Sequence, residues 1–93
     1  MPRFYFDVRE DGNVIRDENG LEFGSLEAAE REAVQCAAEI GRDRLPKGDT
    51  REISVEVRDE HGERALTVTV SLNVRREAFV LAYAGGISAD NFA

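Results

Sequence analysis

The sequence predicts a small α+β domain in the order β-β-α-β-β, an antiparallel sheet with one helix packed on one face. Three observations predict it. Phe4, Phe6 and Val8 alternate with Tyr5, Asp7 and Arg9 near the start. Leu26, Ala29, Ala33, Ala37 and Ile40 recur at steps of three and four in the middle. Ile53, Val55 and Val57, then Leu66, Val68, Val70, Leu72 and Val74, return to strict alternation. Period two marks a half-buried strand, and a step of three to four marks a helix with one apolar stripe.

The first strand covers residues 3–9 and runs into Glu10-Asp11-Gly12-Asn13. Gly and Asn tolerate positive φ, so this is a turn. Val14-Ile15-Arg16 reads as a short return strand, completing a hairpin. Asp17-Glu18-Asn19-Gly20 is a second turn, with Leu21-Glu22-Phe23 extended after it. Ser25 can cap the helix by accepting a first-turn N–H, and Glu27 and Glu30 suit the positive end of its dipole. Pro46 disfavours helical geometry at Leu45, which places the end near Arg44; Gly41 offers an earlier stop. Lys47-Gly48-Asp49-Thr50 is a loop. The strand of Ile53, Val55 and Val57 turns at Asp59-Glu60-His61-Gly62 into a long strand from Ala65 to Val74. One face of that strand is apolar and the other carries Thr67, Thr69 and Ser71. Residues 1–74 thus form one domain, and 75–93 a C-terminal extension. Helix and strand both remain open for Phe79, Val80, Leu81 and Tyr83.

The bulk properties narrow the function classes. Ninety-three residues is one domain with a thin core. A net charge of −7 repels phosphate backbones. The basic groups Arg42, Arg44 and Lys47, and Arg75 with Arg76, are short and have acids nearby, so no nucleic-acid partner is expected. The single cysteine, Cys36, permits no intramolecular disulfide and no cysteine-based zinc site. MPRFYFDVRED lacks the apolar core of a signal peptide, and the longest apolar run, residues 78–84, is too short to span a bilayer. A cytoplasmic location without membrane partners is the expectation.

No catalytic motif emerges. Asp7, Asp11, Gly12 and Glu18 fall at the first, fifth, sixth and twelfth positions of an EF-hand pattern. Arg9 then occupies the third position, where an oxygen ligand belongs, and the flanks read as strands rather than helices. Two turns around a stub of strand explain the acids better, leaving only weak adventitious cation binding at Asp11, Asp17 and Glu18. His61 is the sole histidine and the one general acid–base candidate, yet it sits at a hairpin tip without an evident partner. Cys36 lies on or beside the apolar helix stripe and reads as core filler. Phe4, Tyr5 and Phe6 could stack RNA bases, but Phe4 and Phe6 are more simply core and the acidity opposes RNA. No GxGxxG, P-loop or GxSxG is present. Neither a cofactor nor a metal is expected.

The chain also carries a resemblance. It opens Pro2-Arg3-Phe4-Tyr5-Phe6, continues through Asp11-Gly12, Arg16-Asp17 and Gly20, and starts a helix at Leu26-Glu27-Ala28-Ala29. Ile53-Ser54-Val55-Glu56-Val57-Arg58-Asp59-Glu60-His61-Gly62 and a Leu66-Thr67-Val68 strand follow. This pattern resembles a family of short uncharacterised bacterial proteins, a domain of unknown function, over roughly residues 2 to 70. The resemblance implies a soluble bacterial protein and supplies no catalytic or binding residues.

Two surfaces remain. The second sheet face should carry Tyr5, Asp7, Arg9, Ser54, Glu56, Arg58, Thr67, Thr69 and Ser71, a polar and wet surface. The sheet also has edges, and unpaired edges invite pairing. Phe79, Val80, Leu81 and Tyr83 form the candidate interface, packing on their own sheet or on a homodimer partner. The leading expectation is a non-enzymatic, homodimeric interaction module with a regulatory role. The alternatives are a small-ligand or peptide binder using the polar face or an edge strand, and an enzyme whose site forms at the dimer interface.

Overall fold

The computed structural model describes residues 1–77. Five strands and one long helix follow in the order β1 (Arg3–Glu10), β2 (Asn13–Ile15), β3 (Leu21–Glu22), α1 (Leu26–Arg44), β4 (Glu52–Arg58) and β5 (Arg64–Ser71). The α+β class holds, and the extended segment after the second turn proves to be a short strand of its own. Phe79, Val80, Leu81 and Tyr83 lie outside the described residues.

All pairings are antiparallel, and the main sheet runs β2-β1-β4-β5. β4 is therefore central, and Ile53, Val55 and Val57 are fully buried. The register puts Phe6 beside Val57 and Leu66, and Val8 beside Val55 and Val68. These rows form the apolar face that α1 covers. β5 ends at Ser71, short of the Val74 that alternation alone predicts. Its partner explains this: β4 begins at Glu52, opposite Ser71, so beyond one bond from the Leu72 N–H to the Arg51 carbonyl at 3.4 Å no described strand faces Leu72 and Val74, and both are exposed.

The helix begins where the cap predicts. Ser25 Oγ accepts the Ala28 N–H at 3.1 Å. Its buried stripe is Ala29, Ala33, Ala37 and Gly41. Gly41 does not stop the helix. A Cβ there would lie 2.8 Å from Val70 Cγ2, so the missing side chain lets α1 press against β5. Leu26, read as part of the stripe, is exposed instead because it sits in the first turn, beyond the packed length. Methyl-sized side chains let a helix lie close, and α1 is seated over β4 and β5. β1 is left to one side. Its Phe6 and Val8 are half-buried, and the Phe23 ring meets Phe6 edge-on at 5.7 Å.

Candidate interaction surface

The two long edges of this sheet are treated very differently, and the acidic loop explains the first. Beyond β1 lie β2, pairing Val8 to Glu10, and β3, pairing Arg3 and Phe4. Between them the Phe6 N–H would be left without a partner. The Asp17 carboxylate fills the gap: Oδ2 accepts that N–H at 3.1 Å, while Oδ1 accepts the N–H groups of Asn19 and Gly20, both at 3.1 Å. Such a self-bonded Asp is an Asx turn. Gly20 closes it at φ 68°, where a Cβ would lie 2.8 Å from Phe4 O. Arg3 Nη1 and Arg58 Nη2 then clamp the carbonyls of Asn19 and Asp17, each at 2.9 Å. Asp17 is therefore construction rather than a solvated ornament, whereas Glu18 is exposed. Among the described residues no cluster of three metal-ligating side chains occurs.

The polar sheet face is also more closed than alternation predicts. Asp7, Ser54 and Glu56 are buried, with Asp7 only 5% and Glu56 only 8% exposed. The sheet's own arginines cover them. Arg58 grips Asp7 through Nε at 2.7 Å and Nη2 at 3.2 Å, and its guanidinium stacks 4.9 Å over the Tyr5 ring. Arg9 and Arg64 hold the two oxygens of Glu56 at 3.0 and 3.2 Å. Burial pushes the Asp7 carboxyl up. The Arg58 guanidinium and the Asp17 N–H outweigh it and hold Asp7 below the usual carboxylate range. For Asp17 burial is likewise outweighed, here by the N–H groups of Phe6, Gly20 and Asn19. Every buried side-chain polar atom among the described residues has a partner. Such a face has little left to offer a polar ligand.

The β5 edge has no comparable protection. Among the described residues nothing pairs with its outer side. Residues 65–72, Ala-Leu-Thr-Val-Thr-Val-Ser-Leu, carry no charge and no proline, the usual guards of an exposed strand. The apolar surface continues onto the helix. Ala38, Gly41, Leu45 and Pro46 line a shallow hollow of about 250 Å³ with Val70 and Leu72, and Arg42 and Ser71 complete its rim. Val34 sits one helical turn before Ala38 and is 48% exposed; Leu72 is 47% exposed. A neutral strand edge, a helix flank that is apolar except for Arg42, and a hollow between them form one surface.

A family model for a domain of unknown function (DUF6894) matches residues 3–71, from the first residue of β1 to the last of β5. The chain belongs to this family. No curated protein and no solved structure matches it. The family match and the described strands thus share their limits.

The remaining sequence candidates are scattered over this family domain. His61 is exposed in the β4–β5 turn, its N–H donated to Asp59 Oδ1 at 2.9 Å. Asp59 accepts the Glu63 N–H as well, and these bonds hold its carboxyl below the usual range. Cys36 is half-buried against the core; burial, with Glu32 and Glu39 nearby, pushes its thiol up, away from the reactive thiolate. His61 in the turn and Cys36 on α1 belong to separate elements and are not bonded to each other. No described helix is long and apolar enough to cross a membrane. Sequence reasoning finds that the sheet has edges without saying which strands form them. The uncharged run 65–72 was the available signal.

Proposed function

We propose that this domain is a non-enzymatic interaction module that works as a homodimer in the cytoplasm. The observation that carries the reading is the contrast between the two sheet edges. The β1 side is closed by β2, β3 and the Asp17 carboxylate, whereas the β5 side presents neutral backbone beside exposed Val34 and Leu72. An edge that no described residue pairs with, next to apolar surface, is an invitation to a strand. A small core also gains stability from a partner by mass action. Sedimentation velocity from low to high micromolar protein tests the reading. It expects a species of twice the chain mass that dissociates on dilution. One chain mass at every concentration would refute it.

The same edge favours a second reading, a peptide binder that captures an extended segment of another protein by strand addition. The polar face supports that reading less well, because its own arginines already satisfy Asp7 and Glu56. An enzyme with a site at a dimer interface would draw on His61, which is exposed in the β4–β5 turn and, among the described residues, is bonded only through its backbone N–H to Asp59.

A further inference from the structure

We infer that two copies join β5 to β5 in antiparallel register about a two-fold axis at Val68, making one continuous sheet from the four main strands of each copy. This geometry rests on the self-pairing reading above and specifies how the pairing is made.

Parity comes first. A two-fold at Val68 sets Leu66 opposite Val70 and Thr67 opposite Thr69 of the second copy. Residues of equal parity share a face, so the apolar rows run on across the seam and the threonines meet on the other side. A slip by one residue would put Val against Thr along the whole strand.

Charge comes second. Each copy carries −7, so copies repel in general. The run 65–72 is neutral, and in this register Arg64 faces Leu72 rather than another arginine. The β5 strand is where two such chains can approach without placing like charges opposite each other.

The helices decide the occupant. The two-fold stands normal to the sheet, so both copies keep α1 on the same face. Strands are about 4.8 Å apart. A helix seated between β4 and β5 therefore lies roughly 10 Å from its copy, the upper end of helix–helix contact. Gly41 lies against Val70. Val68 is two strand residues back, about 7 Å, which corresponds to between about four and five residues of helix. The level of the axis on α1 then falls between about four and five residues before Gly41, with Val34 and Ala38 on either side of it. Val34 of one copy meets Ala38 of the second, large against small. A lone captured strand would bond the edge and leave Val34 in water. A second copy covers both, which brings the contact toward the roughly 800 Å² per partner of a stable complex.

Disulfide trapping in the full chain tests this. In a Cys36→Ala background the double variant Thr67→Cys/Thr69→Cys places thiols directly opposite each other, whereas either single variant does not. Mild oxidation should convert the double variant, and neither single, to a covalent dimer. Thr69 bonds Ser54 at 2.8 Å, so Val34→Glu provides a second handle that leaves this pair alone. It should weaken dimerisation at least about tenfold, by burying a charge in the seam, with an unchanged circular dichroism spectrum at dilution. A chain that sediments as a dimer yet does not cross-link, or a dimer indifferent to Val34→Glu, overturns the geometry and leaves self-pairing standing. A chain that is always monomeric overturns both.

Discussion

Replacing Asp17 with Ala should destabilise the domain by about 2 kcal/mol. The change removes the acceptor of three backbone N–H groups, those of Phe6, Asn19 and Gly20. A neutral bond contributes about 1 kcal/mol net, and one to a charged group about 1.5–3 kcal/mol. Solvent discounts this set. Asn19 is exposed, and water replaces its bond at little cost. Phe6 and Gly20 lie in partly buried bonds, each worth roughly 1–1.5 kcal/mol after the discount. Relief of the repulsion between Asp17 and Asp7 returns a fraction, leaving about 2 kcal/mol. A domain of this size unfolds with about 5–10 kcal/mol and a urea slope of about 1 kcal/mol/M, so the midpoint should fall by about 2 M. Asp17→Asn keeps an acceptor for the turn but loses the charge, and should fall about half as far. Dilute protein is needed, so that association does not mask the change. A shift below about 0.5 kcal/mol for Asp17→Ala would show that water serves the Phe6 N–H equally well, and the edge-closing argument would fail.

Other consequences follow from the same contacts. Asp7 and Asp17 have folded-state values lowered below an ordinary carboxyl, so they favour folding above about pH 4 and lose that contribution as pH falls through their folded values. Urea melts at a series of pH values should therefore show stability flat near neutrality and falling below about pH 4, with a shallower fall in Asp17→Asn. Gly41→Ala adds helix propensity worth about 1 kcal/mol but drives a Cβ to within 2.8 Å of Val70 Cγ2. The expected net is a loss of about 1 kcal/mol, and a gain would mean that β5 yields freely. Ending the chain at Glu77 removes Phe79, Val80, Leu81 and Tyr83; sedimentation should still find the dimer, because the seam lies within 34–72. Its disappearance would return the interface to the tail.

Much of this fold can be read from residue spacing, and the rest fails for identifiable reasons. Alternation located β1, β4 and β5, and Ser25 located the start of α1, because these signals are local. The end of β5 depends on where β4 begins, so Leu72 and Val74 continue the pattern without continuing the strand. Gly41 looked like a stop because glycine is a poor helix former; its contact with Val70 is a tertiary fact. Asp7 and Asp17 illustrate the same limit. Each is an ordinary strand or turn acid in sequence, and their joint role needs Arg58, far along the chain. A charge in the middle of a strand between Phe6 and Val8, with arginines of matching parity at Arg9 and Arg58, was the signal that it had to be paired. The exposed edge was the least legible feature, since strand order is not written in periodicity.

Hydrogen exchange of the β5 amides at two protein concentrations is the most direct check on the central claim. If β5 is the seam, outward-facing amides between Ala65 and Ser71 exchange slowly in concentrated protein and quickly on dilution, while the amides of central β4 are protected at both. Outer β5 amides that exchange at one rate, fast or slow, whatever the concentration, would contradict it.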